Sequence, residues 1–287
     1  MYETIAQLLK LCSEQDVPLW EMILKNEIKL SEASEDVIWK RLDARLAVMR
    51  ASAKKALELP QNTVGNMISG LASAQAGYAK GDTICGHLVN RVMAMALSGS
   101  EVNASMGRIC AAPTAGSCGI MPGCLVSVMK ERNISREKVI EGMFTAAGFG
   151  MVIAKRASVS GAQGGCQAEC GSAAAMTAAA MVEMMNGSPK QAADACAIAL
   201  KNQLGLVCDP VGGLVEYPCQ NRNAAGVANA LIAAEMALAG IPQLISLDEM
   251  IQTMFTVGKK IPAELRETAM GGCAVTHSAC EACHICR

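Results

Sequence analysis

Aromatic side chains are nearly absent from this chain, which has two Trp, three Tyr and three Phe among its 287 residues. The core must therefore be filled by Ala, Leu, Ile, Val and 19 Met, side chains small or pliable enough for helices to approach closely. Histidine is scarce as well, with His87, His277 and His284 the whole supply. Neither sign of charge is in excess: the formal net charge of −1 argues against nucleic acid or an anionic membrane as the main partner, since both demand a basic face. The longest uncharged run, residues 109–129, is broken by Pro113, Pro122 and several glycines, so it reads as buried turn and helix, not as a membrane span. The opening MYETIAQLLKLCSEQD is amphipathic and acidic, without the basic start or cleavage site of a signal peptide, and a cytoplasmic protein is expected. Dinucleotide and P-loop glycine patterns are missing too. The glycine-rich 161–165 lacks a following Lys-Ser/Thr, which argues against phosphate binding.

What is present is helical periodicity. Ile5, Leu8, Leu9 and Cys12 form one apolar stripe, and Ile38, Leu42, Leu46 and Met49 another. Ser34 is placed to cap the second helix, Pro60 to close it, and Asn62-Thr63 to start the next. Further helices are predicted at 84–97, 136–154, 171–185, 189–204, 224–239 and 246–258, with runs such as AAAMTAAAMVEMM among the strongest formers. Alternating strand patterns are almost lacking. The expectation is an all-α, compact multi-helix domain spanning 1–287, with a charged outer helical layer over 1–60 and a cysteine-rich tail over 271–287. Four irregular segments, 111–123, 158–171, 208–223 and the tail, interrupt the helices, and loops positioned by a scaffold are where function concentrates.

Fourteen cysteines in a chain of this kind are expected to be reduced thiols. Cys12, Cys124 and Cys196 lie among helical apolar residues and read as small core hydrophobes. Cys166, Cys208 and Cys219 differ. They sit in SVSGAQGGCQAECG and GLVCDPVGGLVEYPCQNRNA, and Asp209-Pro210 and Pro218 fix the backbone beside two of them, which implies thiols on nonhelical backbone. Three thiolates at one centre would leave a fourth coordination position vacant, as a catalytic metal requires; the competing reading is a set of unrelated core thiols. The tail offers rival patterns. Cys280-x-x-Cys283-His284 matches covalent haem attachment, which belongs to exported proteins, and Cys280, Cys283 and Cys286 open a ferredoxin-like run or, with His284, a zinc site. A tail that visits the main site is the simpler reading. The turn PTAGSCG at 113–119 could hold a carboxylate on its amides, or be an ordinary tight turn. Lys155 and Arg156 end an apolar helix, where they complement its dipole, and His87 lies in a helix near Asn90.

Four segments in one order, EVNASMGRICAAPTAGSCGIMPG, SVSGAQGGCQAECG, NQLGLVCDPVGGLVEYPCQNRNA and RETAMGGCA, closely resemble the iron–sulfur-dependent bacterial L-serine dehydratases, specifically the alpha chain of the two-subunit type. The resemblance implies a helical catalytic domain holding a [4Fe–4S] cluster through Cys166, Cys208 and Cys219. It implies loss of water from L-serine, giving pyruvate and ammonia, with the open iron as Lewis acid. Thr114, Gly116, Ser117, Ser160 and Gly161 are the residues expected to bind substrate. For the base, Lys155 comes first and His87 second. A tail cysteine that can reach the open iron is expected at Cys280, with Cys286 and Cys283 as alternatives. Pyridoxal phosphate is not expected, because no Schiff-base lysine pairs with a phosphate cup. A separate beta (regulatory) subunit is the expected partner, since single-chain members carry an additional regulatory domain. The rivals are cysteine desulfidase or threonine dehydratase chemistry on the same scaffold, or an iron–sulfur electron-transfer or metal-binding protein built on the tail cysteines.

Overall fold

The computed structural model describes residues 1–283, so the tail expectation at Cys286 lies outside the described residues. The chain runs through α1 (Ile5–Gln15), α2 (Leu19–Ser31), α3 (Glu35–Glu58), α4 (Leu71–Tyr78), α5 (Gly86–Ala104), α6 (Ile120–Glu131) and α7 (Arg136–Arg156). It continues through α8 (Gly161–Gly164), α9 (Ser172–Met184), α10 (Pro189–Asn202), α11 (Cys219–Leu238), α12 (Leu247–Lys260) and α13 (His277–Ala282). Among the described residues there is no strand, only an isolated bridge between Cys208 and Arg266, and the fold is all-α. No described helix is long and apolar enough to cross a membrane.

At the centre is α9. Every residue of SAAAMTAAAMVEM is buried, so it has no solvent face, and α6, α7, α10 and α11 pack around it. Its alanines allow that approach; the methionines fill what remains. Cys12, Cys124 and Cys196 are buried as the periodicity predicts. The scarce aromatics concentrate at the join of the N-terminal helices with α7, where Trp39 stands edge-on to both Trp20 and Phe144 at 5.9 and 5.2 Å. Capping boxes at Thr4, Ser188 and Ser246 fix the starts of α1, α10 and α12. The Asp248 carboxylate accepts from the amides of Ile5 and Ala6 at the start of α1, and pairs with Arg156 at 3.1 Å.

Two local expectations change. No helix starts at Asn62-Thr63; the chain stays irregular until Leu71. Its amides find buried carboxylates in place of carbonyls one turn back. Gln61 donates to Glu101 at 2.6 Å, and Gly65 and Met67 donate to Glu216 at 2.5 and 3.0 Å. At the other end, α11 begins at Cys219, five residues earlier than its alanine run suggests, so this thiol stands on the first turn of a helix and not on nonhelical backbone.

The crossing of α5 and α6 sets the position of the loop between them. A Cβ added at Gly99 would come 2.9 Å from the Gly119 Cα, and one at Gly123 would come 2.9 Å from the Val92 carbonyl. A methyl at Gly119 would run into the Ala96 carbonyl. Gly119→Ala is therefore expected to lower stability by about 1–3 kcal/mol through overpacking. Gly77→Ala, with nothing within 4 Å of the new methyl, should instead be neutral or slightly stabilising. Denaturant midpoints of the two variants check the contrast.

Candidate active site

Three irregular segments meet at the N-terminal end of α9. The first is the turn at Gly165, with φ of +75°, which swings the chain from α8 into Cys166. A π-helical turn over Gln167–Gly171 follows, the kind of bulge often found at functional sites. Gln167 anchors this turn: its amide donates to the Leu206 carbonyl, its Nε2 to the Met254 carbonyl, and its Oε1 accepts from the Gly205 amide, each at 2.9 Å. The second segment carries Cys208, whose amide donates to the Leu265 carbonyl at 2.8 Å and whose carbonyl accepts from the Glu267 amide at 2.6 Å. The third ends at Cys219, whose carbonyl accepts from Asn223 Nδ2.

Cys166, Cys208 and Cys219 are all buried. Cys166 Sγ lies 3.4 Å from Cys170 Sγ, and hydrogen bonds from Cys170 and Cys208, together with the Arg222 charge, hold its thiol well below the ordinary thiol range. Cys219 is pushed up to about 12, by burial first and then by the Cys166 charge. Cys166 is thus the thiol most readily ionised, and Cys170 and Cys208 are hydrogen-bonded to it. Arg222 balances its charge from the next turn of α11. Its Nη2 donates to Asp209 at 2.5 Å, while its Nη1 is buried without a partner. Asp209 also accepts from the Cys273 amide at 2.6 Å, so residue 273 is drawn to the site's edge.

Glu169 occupies the middle. Its carboxylate lies 3.8 Å from Cys208 Sγ and takes a hydrogen bond from Thr114. Burial and the Cys166 charge raise its pKa to about 7. Two glycines make room for it: a Cβ at Gly161 would come 2.8 Å from Oε2 and 2.9 Å from Cys208 Sγ, and one at Gly116 would come 3.2 Å from both oxygens. Thr114 Oγ1 lies 3.2 Å from Ser117 Oγ, and Asn223 ties their loop down by donating to the Gly116 carbonyl at 2.8 Å and accepting from the Gly119 amide at 2.9 Å. The structure therefore gathers Cys208, Thr114, Gly116 and Gly161 around one carboxylate, with Cys166 hydrogen-bonded to Cys208 and Cys219 tied to Gly116 through Asn223. Ser117 is bonded to Thr114, and Ser160 immediately precedes Gly161 as the cap of α8.

Other candidates lie apart. Lys155 is exposed, and His87 is exposed with Nδ1 against the Ala79 carbonyl at 2.9 Å; neither makes a hydrogen bond or ion pair with the thiols or with Glu169. Cys280 is exposed on α13, and Cys283 is buried against Val211 and Ala279. Glu169, Arg222, Asn223 and Cys273 are not among the residues the sequence points to, and Asp209 stands out there only as a backbone constraint beside Cys208. Glu169 had a signal, as the sole charge in a small-residue stretch between two cysteines; Arg222 and Asn223 are visible as polar residues opening an alanine-rich helix.

Comparison with known proteins identifies the family. The serine dehydratase alpha chain family matches residues 14–274. The chain is 49% identical to the L-serine dehydratase alpha chain of Peptoniphilus asaccharolyticus, over 96% of this chain and 94% of that one. It is 46% identical to a probable L-serine dehydratase alpha chain of Bacillus subtilis strain 168, over 96% and 92%. Against L-serine dehydratase TdcG of Escherichia coli strain K12 it is 35% identical over 96% of this chain, but spans only 62% of that longer protein. With both the matched length and the identity this high, the chain belongs to the serine dehydratase alpha chain family.

Proposed function

We propose that this chain is an iron–sulfur L-serine dehydratase subunit that removes water from L-serine, and that Cys166, Cys208 and Cys219 hold its [4Fe–4S] cluster. The observation that carries the reading is the gathering of three buried thiols about Glu169, between the 114–117 and 160–161 loops. Soft thiolates suit iron and sulfide, and Arg222, with one buried nitrogen unpartnered, offers the positive charge such a group needs nearby. Among the described residues no three His, Cys, Asp or Glu side chains gather tightly enough for a single ion, whereas a cluster's thiolates each reach a different iron and need a looser trio. When bound, the cluster would supply an iron with a vacant position, a Lewis acid for the departing C3 hydroxyl.

The chain's own residues do the rest. The turn amides at 115–118 and the Thr114 and Ser117 hydroxyls are suited to the substrate carboxylate, with Ser160 and Gly161 closing from the other side. The Glu169 carboxylate is suited to the substrate ammonium, and its fit between Gly116 and Gly161 fixes where the amino group sits. Loss of the Cα proton and the C3 hydroxyl amounts to one water. The enamine left behind becomes the imine, and hydrolysis gives pyruvate and ammonia. The free thiols throughout the described chain fit the reducing cytosol. Relatives named as alpha chains, and longer relatives spanned only to 62%, support a beta chain as partner.

Anaerobically purified protein is expected to carry about four irons per chain and to lose serine turnover in air, with Cys208→Ala losing iron and activity together. Full activity in iron-free protein would overturn the reading. Glu169→Gln should keep its iron while kcat/KM for serine falls about 100-fold or more; an iron-loaded variant with unchanged kcat/KM removes Glu169 from the site. Co-expressed with a beta chain, this chain is expected to co-elute on size exclusion, and a fully active lone chain would refute the partner.

A further inference from the structure

A cavity of about 400 Å³ lies between α2, α3, α7 and the 110–113 segment, with Met121 of α6 and Met176 of α9 also on its wall. Its volume falls in the range of small-molecule sites. The wall is largely apolar and pliable, built from Met49, Met121, Met143, Met151, Met176 and Phe144. Methionine-lined walls adapt to ligands of varied shape.

The polar groups in this wall are unusual. Tyr2 and Asn26 are buried, at 2% and 7% exposure, and neither the Tyr2 hydroxyl nor the Asn26 Oδ1 has a hydrogen-bond partner. Native interiors seldom leave such groups unpaired, and each unpaired one is costly. Two cations stand on the same wall. Arg41 and Arg45, one turn apart on α3, are exposed and make no ion pair among the described residues, while Asp43 between them is taken up by Arg136. Arg45 lies near enough to Cys110 to offset part of the rise that burial imposes on that thiol. Glu27 is the only acid on the wall, so the balance is one positive charge.

An apolar chamber, two guanidinium groups with no ion pair among the described residues and a buried Tyr2 hydroxyl free to donate together fit an amphipathic anion. We propose that this cavity is a binding site for a monocarboxylate with an apolar tail, the carboxylate held by Arg41 and Arg45 and the tail among the methionines. The wall also includes residues 110–113, which lead directly into Thr114, so an occupant touches the base of the substrate loop. This site is separate from the serine site and does not depend on the dehydratase reading.

The test is calorimetric titration of the full chain, with its beta chain where the two co-purify, using octanoate and, as the neutral counterpart, octanol. Octanoate is expected to bind saturably and more tightly than octanol. Arg41→Ala with Arg45→Ala should weaken it about tenfold, the scale of two partly exposed charge contacts. Ala147→Trp, which places a ring in the cavity from an exposed position, should abolish binding. Thermal midpoints near the parent's and unchanged serine turnover without octanoate establish that these variants fold. No saturable octanoate binding, octanol binding as tightly, or unaltered affinity in the variants would each overturn the proposal.

Discussion

One side-chain amide links the two halves of the site. Asn223 sits a single turn into α11 and makes all three of its side-chain hydrogen bonds to backbone: its nitrogen donates to the Cys219 and Gly116 carbonyls, and its oxygen accepts from the Gly119 amide. The thiol end and the substrate turn are therefore a single rigid object, although they are about a hundred residues apart in sequence. The amide is buried, so each bond is made without competition from water, and a broken one would leave a backbone group stranded. An aspartate could not donate to two carbonyls, and an aliphatic side chain could satisfy none of the three.

That link needs the helices beneath it to be close. The tight crossing of α5 and α6 through Gly99, Gly119 and Gly123 brings the turn within reach of α11, and the alanine-lined α9 lets the surrounding helices reach the same depth. A core richer in aromatics would hold these elements farther apart. The composition and the site are two aspects of one constraint: the reacting groups come from loops that only short interhelical distances can unite.

Much of this was legible in the sequence, for identifiable reasons. Helices announce themselves by local periodicity and caps, so 136–156, 189–202 and 247–260 were expected nearly as they are found. The three thiols stood out because proline and glycine beside them contradict the surrounding helix. Segment 61–70 was misread because its amides bond to carboxylates 40 to 151 residues away, and local pattern carries no trace of such partners. The start of α11 was set five residues late because Cys219 and Asn223 look like loop residues until their tertiary contacts are known. Glu169 escaped notice for the same reason. Its importance comes from Gly116 and Gly161, two glycines whose shared neighbour appears only in three dimensions.

The buried Glu216 carboxylate accepts from the Thr63 hydroxyl and from the amides of Gly65 and Met67, and it lies three residues before Cys219 on the same irregular loop. Those two amides are protected from solvent only while that loop keeps its shape. Their deuterium uptake thus becomes an internal gauge of the thiol loop, read from a stretch of chain that contains no thiol. A distortion at Cys219 would be registered first as faster exchange at Gly65 and Met67, before any helix had opened.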